Sequence, residues 1–265
     1  MHSRTGLEWT FDTVSAAYEK FRPGYVEELY RAIFSYAPIE KSSRVLEIGS
    51  GAGQATLPVL KTGCYLISVE CGEHFSQLLR DKFKEYSKFS VIARRFEDAD
   101  LGQEPFDLIF SASAFHWIPE KAGYEKVYSL LKKGGVFARF ANHPYRSAEQ
   151  PALAEDIDEI YKEYYYKFHN KEPKASGIYT EQQARDIALL AQKYGFSDIQ
   201  YALFYRQRVF SAEEYVALMG TYSDHIAIEK SIREKFFSKI EDAIDRHGGT
   251  ITICDTMDLQ LARKE

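Results

Sequence analysis

The chain has 265 residues, of which 45% are hydrophobic and 28% charged, and a formal net charge of −5 at pH 7. That length suits one α/β domain with helical insertions, and the composition excludes a disordered or fibrous chain. The acidic balance, with no dense Lys/Arg block, argues against nucleic acid as a partner, because phosphate neutralisation dominates that affinity.

Met1 to Thr10 are polar and charged where a secretion signal needs an apolar run. No apolar stretch approaches the ~18 to 20 residues that cross a bilayer, so the expectation is a cytoplasmic protein with no membrane partner. From residue 44 to about 141 two apolar periodicities alternate, which points to a parallel sheet with crossover helices. Solid apolar runs read as buried strands over Arg44 to Ile48, Tyr65 to Glu70, Ser90 to Ala93, Phe106 to Ser111 and Val136 to Ala141. Amphipathic stretches read as helices over Gln54 to Lys61, His74 to Tyr86 and Gly123 to Leu131. Pro58 fits the first if that helix begins near Ala52, where early N–H groups have no intrahelical partner to lose. The third closes on Lys132, Lys133, Gly134 and Gly135, a pattern expected of a helix C-terminus.

The stretch Val45-Leu46-Glu47-Ile48-Gly49-Ser50-Gly51-Ala52-Gly53-Gln54 runs from a strand through a glycine-rich turn into a helix. Glycines suit a turn that a nucleotide must approach closely, since a Cβ would stand in the way. Dinucleotide sites prefer G-x-G-x-x-G with a pyrophosphate on the helix N-terminus; here Gly53 comes one position early and Gln54 fills the third place. A bound pyrophosphate is therefore disfavoured, and a structural turn without a ligand is the other reading. Glu70 ends the next strand about twenty residues beyond the loop, placed to accept both ribose hydroxyls of a nucleoside, or else to sit solvated at a strand end. Cys64, Cys71 and Cys254 cannot all pair and have no metal-ligand spacing, so a reduced protein without a bound metal is expected.

Arg146 to about Tyr179 is a polar and aromatic insertion carrying Tyr161, Tyr164, Tyr165, Tyr166 and Phe168. Its aromatic stripe either packs on the domain or lines a substrate pocket. Ile199 to Phe210 and Thr250 to Ala262 read as an antiparallel hairpin at the sheet edge, the second with alternating Ile251, Ile253, Met257, Leu259 and Leu261. Between them lie two helical patterns, the first opened by Ser211 with Glu214 as a capping box.

The glycine loop Glu47 to Gly53 and Glu70 combine with Phe106-Asp107-Leu108-Ile109-Phe110-Ser111-Ala112-Ser113-Ala114-Phe115-His116-Trp117 and the N-terminal Phe11-Asp12, Tyr18 and Arg22-Pro23-Gly24-Tyr25. Together they resemble the class I S-adenosylmethionine-dependent methyltransferases over most of the chain. The likeness is to the small-molecule branch of trans-aconitate and ubiquinone/menaquinone-type enzymes. It implies a doubly wound, mostly parallel seven-stranded α/β sheet of Rossmann-like methyltransferase type, with an antiparallel edge strand and helical insertions. Residues 1–265 then form one domain, with a cofactor lid at 8–30 and insertions at about 146–179 and 211–248 covering the substrate side.

By the same resemblance, Glu47 and the backbone of Gly49 and Gly51 hold the methionine end of S-adenosyl-L-methionine and Glu70 the ribose. Phe96 and Glu97 surround the adenine, and Ser111 and Ala112 pass under the sulfonium. Ser50, Gln54 and Cys71 complete the cofactor-binding set. Tyr18 and Arg22 belong to the lid, with Arg22 pairing to the methionine carboxylate; an ordinary capping helix is the alternative. Where the family commonly has Asp-Ala after the third strand, this chain has Arg95-Phe96.

His116 lies just past the fourth strand, at the edge where ligands gather in open α/β sheets. It can serve as a base toward an attacking hydroxyl, or as a packing or cofactor contact beside Trp117. His143, Tyr222, Ser223 and His225 read as surface residues within reach of the same pocket. The expected function is methyl transfer to a small-molecule acceptor, an O-methylation of an acid or phenol, by a monomer or homodimer. The rivals are a non-catalytic protein that binds S-adenosylmethionine or S-adenosylhomocysteine, which product formation would separate, and an NAD(P)-dependent oxidoreductase, which nicotinamide binding would settle.

Overall fold

Strands that are apolar on both faces must be covered on both, and the central strands here are built that way. The computed structural model describes Arg22 and residues 24–173 and 177–265. Its seven-stranded sheet has the order β3-β2-β1-β4-β5-β7-β6. The first five are β1 (Arg44–Ile48), β2 (Tyr65–Glu70), β3 (Phe89–Ala93), β4 (Phe106–Ala112) and β5 (Leu131–Arg146), paired in parallel. On β1, Val45 packs with Leu29 and Ile33 of α1 (Glu27–Tyr36), while Leu46 packs on the other side with Tyr124 and Val127 of α4 (Glu120–Leu130).

The glycine turn passes through turns at 51–55 into a short helix, α2 (Thr56–Leu60). Pro58 stands in its first turn, where its missing N–H is not needed. The next helix, α3 (Glu73–Lys82), stops four residues short of the expected Tyr86. Phe83, just past its end, turns edge-on to Phe89 at 5.3 Å.

Lys132 to Gly135 do not cap α4 but open β5. The helix ends at Leu130; Leu131 pairs with Phe106 and Val136 with Leu108, so residues 132–135 bulge out of the ladder. Lys132 pairs with Asp107 across the bulge, and Gly134 supplies a left-handed turn at φ +77°. Lysine and glycine here serve a strand irregularity rather than a helix end.

β5 also runs on to Arg146, beyond the expected end at Ala141, because β7 (Thr250–Lys264) pairs with it antiparallel along that whole length. β7 lies between β5 and β6 (Phe196–Ser211), as an antiparallel edge pair. β4 ends opposite Phe140, so residues 141–146 of β5 overhang the parallel half of the sheet.

Helices around the overhang build a second core. They are α5 (Pro151–Ile160), continued by a π-helical turn (Tyr161–Tyr166) and α6 (Lys167–His169), then α8 (Ala212–Met219), α9 (Ser223–Ile226) and α10 (Lys230–Arg246). Leu153, Ile157, Leu218, Phe236 and Ile240 pack there with Ile253 of β7. The Ser211/Glu214 capping box opens α8 as expected. The aromatic run packs on this core, with Tyr161 edge-on to Phe236 at 5.0 Å. Helix α7 (Glu181–Leu189) contacts β6 and β7.

Candidate functional site

The C-terminal ends of β1, β2 and β4 form the floor of a cavity of about 420 Å³, and the β5 overhang forms one wall. This is within the range of small-molecule sites. Gly49 and Gly51 sit in the floor with φ of +71° and +54°, a region open to glycine at little cost. A Cβ on Gly49 would come within 2.4 Å of the Ala114 Cβ, so this glycine also admits the loop after β4. Gly53 serves a different purpose. Its φ is +80° and a Cβ would meet the Phe83 ring at 2.7 Å, so it packs α3 against the loop.

Glu70 is buried at the end of β2. Its Oε2 accepts from Gly51 N–H at 2.8 Å and its Oε1 from Gly72 N–H at 2.9 Å. The carboxylate thereby locks the glycine loop to β2. Ser50 and Ser68 hydroxyls bond beneath the loop.

Of the sequence-expected cofactor residues, Arg22, Gly49, Ser50, Gly51, Gln54, Glu70, Cys71, Phe96, Glu97 and Ala112 line this cavity, as does His116. Glu47 and Ser111 do not: both are 0% exposed and lie under the floor. Glu47 accepts from the Thr56 hydroxyl at 2.7 Å, its Oε1 has no hydrogen-bond partner among the described residues, and burial pushes its carboxyl up to about 8. Ser111 straps β4 to β1 by donating to Ile48 O at 2.9 Å. Tyr18 lies outside the described residues, as do Phe11 and Asp12 and most of the lid segment.

The loop after β3 forms a 3₁₀ turn, Phe96–Asp98, and Lys126 of α4 organises it. The ammonium donates to Phe96 O at 2.6 Å, Ala99 O at 2.8 Å and Glu97 O at 3.1 Å, and burial lowers its pKa. Burial, then the Glu70 carboxylate, pushes the Cys71 thiol up to about 12, which keeps it a neutral wall residue and not a nucleophile. His116 stands exposed in the 3₁₀ turn Phe115–Trp117, its ring 5.0 Å from that of Trp117.

Several wall residues were given no role by the sequence, among them Ser113, Asn142 and Arg208. Ser113 has a left-handed backbone, φ +52°, and its hydroxyl meets Tyr25 OH at 2.8 Å and accepts from Asn142 N–H at 3.3 Å. A non-glycine residue held in that region beside a cavity marks a constrained site. Arg208 of β6 lines the wall and is bound through Nε to Asp255 Oδ2 at 2.6 Å; Arg206 and Asn142 hold the same buried carboxylate. Arg22 donates to the Thr221 hydroxyl at 2.9 Å and lies 4.2 Å over the Tyr222 ring.

The surface reading of the four late residues does not hold. His143 and Tyr222 are half-buried and line the cavity. Ser223 and His225 are buried and line neither cavity, and His225 bonds Tyr161 OH at 2.9 Å. The covering helices hide them, which their polar side chains did not announce.

A second cavity of about 340 Å³ shares Ser113, Ala114, His116, Ala141 and His143 with the first and extends to Tyr179, Asp186 and Asp258. Among the described residues no group of His, Cys, Asp and Glu side chains is placed to hold a metal ion. No described helix is long and apolar enough to cross a membrane.

Residues 45–135 match a family described as a methyltransferase domain. The chain is 24% identical over 238 residues to an uncharacterized methyltransferase of Schizosaccharomyces pombe, across 89% of this chain and 87% of that one. In structure it is similar to a candidate type II methyltransferase of Anaeromyxobacter dehalogenans, with a TM-score of 0.64 and 17% identity over 92% of this chain and 98% of that one. It is also similar to phosphoethanolamine N-methyltransferase 2 of Haemonchus contortus, solved with phosphomonomethylethanolamine and S-adenosylhomocysteine. That likeness has a TM-score of 0.56 and 16% identity, over 96% of this chain and 57% of that one. At such identities the structural likeness establishes the fold.

Proposed function

We propose that this chain, an S-adenosylmethionine-dependent methyltransferase, delivers the methyl group to an oxygen of a small molecule, an acid or a phenol. The observation that carries the reading is one continuous cavity joining the Glu70-locked glycine loop to the polar β5 overhang. The residues fit the cofactor: an acceptor-only carboxylate suits ribose hydroxyls, and the Gly49–Gly51 turn offers backbone free of Cβ atoms. Phe96, Glu97 and Cys71 would surround the base, and Gly49, Ser50, Gln54 and Arg22 the amino-acid end. When bound, S-adenosylmethionine supplies an electrophilic methyl group on a cationic sulfur, whose displacement leaves a neutral sulfide.

The protein's own task is then to hold the acceptor in line and keep the site dry. The overhang, with Asn142 and His143, and Arg208 beside it supply polar groups for an oxygen acceptor. Arg22 donates to Thr221 of the insertion at 211–248, in keeping with that insertion, and the one at about 146–179, covering the substrate side. A cavity of about 420 Å³ suits a small-molecule acceptor, which supports the small-molecule branch of the family.

Incubation with methyl-labelled S-adenosylmethionine and separate small-molecule, protein and RNA fractions tests the reading. Label is expected in small acids or phenols. Label confined to protein or RNA would overturn the acceptor class, and cofactor binding without transfer to any fraction would favour the non-catalytic binding protein.

A further inference from the structure

His143 stands on the β5 overhang and lines both cavities. Its ring lies flat on Tyr179, centroids 3.7 Å apart and planes 4° apart, and its Nε2 is 3.0 Å from Asp258 Oδ1. Asp258 is 3% exposed, in the interior of β7. Ala141 N–H donates to the same Oδ1 at 2.9 Å; Tyr179 OH donates to Oδ2 at 3.1 Å, and the Gln260 amide also donates to Oδ2. Four donors converge on one carboxylate, so Nε2 carries the proton of the neutral ring and Nδ1 presents a lone pair. Nδ1 takes no hydrogen bond from a described residue.

We propose that His143 is the base that takes the proton from the acceptor's hydroxyl, with Asp258 as the positioning residue behind it. A buried carboxylate that fixes the tautomer and orientation of a histidine is the arrangement that makes imidazole an effective proton acceptor. Ala141 and Gln260 clamp the carboxylate, and the Tyr179 ring keeps the imidazole from rotating. In the step, a lone pair of the acceptor oxygen forms the O–CH₃ bond. The S–CH₃ pair stays on sulfur, the O–H proton passes to Nδ1, and the imidazolium returns it to water once product leaves. This assignment rests on the O-methylation reading and narrows it to a phenol or alcohol, since a carboxylic acid is already ionised and needs no base. The other charged or titratable groups that line the second cavity with His143 and Asp258 are Tyr179, Asp186 of α7, Arg139 of β5 and His116.

The test compares wild type, His143→Gln and Asp258→Asn on phenol, 4-nitrophenol and benzoate at mildly alkaline pH, where 4-nitrophenol is largely ionised. His143→Gln should slow phenol methylation about a hundredfold or more, the usual contribution of a general base, and slow 4-nitrophenol about threefold at most. Asp258→Asn should show the same phenol-selective loss. Independently of turnover, ¹⁵N shifts of the His143 ring should show the Nε2–H tautomer in wild type and a mixture in Asp258→Asn. Equal losses on both phenols, or a tautomer indifferent to Asp258→Asn, would overturn the proposal. So would a wild type that methylates benzoate alone or none of the three. The fraction assay described above, run in parallel, reports separately whether small-molecule transfer stands.

Discussion

A carboxyl group buried away from solvent is best stored with its proton on, and Glu47 is such a group. Burial raises it from 4.5 to about 8, against the lowering effect of its hydrogen bond with the Thr56 hydroxyl. Below 4.5 both folded and unfolded chains hold the proton; between there and about 8 only the folded chain does. This group's contribution to stability is thus complete at low pH and declines as pH rises through that window. Glu47→Gln should therefore flatten the fall in melting temperature between about pH 5 and about pH 8, and parallel curves for variant and wild type would contradict it. Sequence likeness placed Glu47 at the cofactor; the structure buries it beneath the floor, since successive strand side chains point to opposite faces and its neighbour Ile48 is the one that lines the cavity. Ser113 teaches the converse. Its left-handed backbone costs about 1–2 kcal/mol, and its hydroxyl offsets this through Tyr25 and Asn142. Ser113→Ala keeps the strain and loses the bonds, whereas Ser113→Gly loses both. Chemical denaturation should find the glycine variant about 1 kcal/mol more stable than the alanine one; equal stabilities would mean that the backbone there is relaxed. No residue-type signal encodes such a conformation, so the sequence reading passed over Ser113.

At the scale of elements, the turn bearing His116 and Trp117 is positioned by a glycine in a helix. A Cβ on Gly123 of α4 would meet Phe115 Cζ at 2.9 Å and Ile118 Cγ2 at 3.0 Å. Alanine would gain up to about 1 kcal/mol in helix propensity, but overpacking a buried phenylalanine costs about 1–3 kcal/mol. Gly123→Ala should thus lower stability by about 1 kcal/mol net, measured by urea denaturation, and a more stable variant would mean that the turn swings freely. The parallel strands and the glycine loop were legible because each is a local pattern of apolar runs and turn residues. The bulge at Lys132–Gly135 and the overhang of β5 were not. Both are set by pairing with β4 and with β7, more than a hundred residues distant along the chain in the second case. The alternation in β7 told only part of the burial: Thr256, Asp258 and Gln260, between the apolar Met257, Leu259 and Leu261, are buried as well. The wall bearing His143 and Asn142 lies on that overhang, so local pattern read His143 only as a surface residue near the pocket and gave Asn142 no place.

Across the whole molecule, a parallel half-sheet and an antiparallel half-sheet divide the labour. The parallel strands end in the Glu70-locked loop, and the longer antiparallel strands reach past them to carry the opposing wall and the helical cover. Fold class, the edge hairpin and the position of Glu70 all followed from the sequence, since periodicity and strand-end carboxylates survive any detail of packing. What remained hidden was everything made where the two half-sheets meet. The account turns on the loop and its carboxylate holding an adenosyl cofactor. Calorimetric titration of wild type and Glu70→Ala with S-adenosylmethionine, and separately with NADH, tests this most directly. Hydrogen bonds to a charged group contribute about 1.5–3 kcal/mol each, so wild type should bind S-adenosylmethionine and not NADH, and Glu70→Ala should bind it at least about tenfold more weakly. A wild type that binds neither, that prefers NADH, or whose affinity for S-adenosylmethionine is unchanged by the substitution would contradict the account.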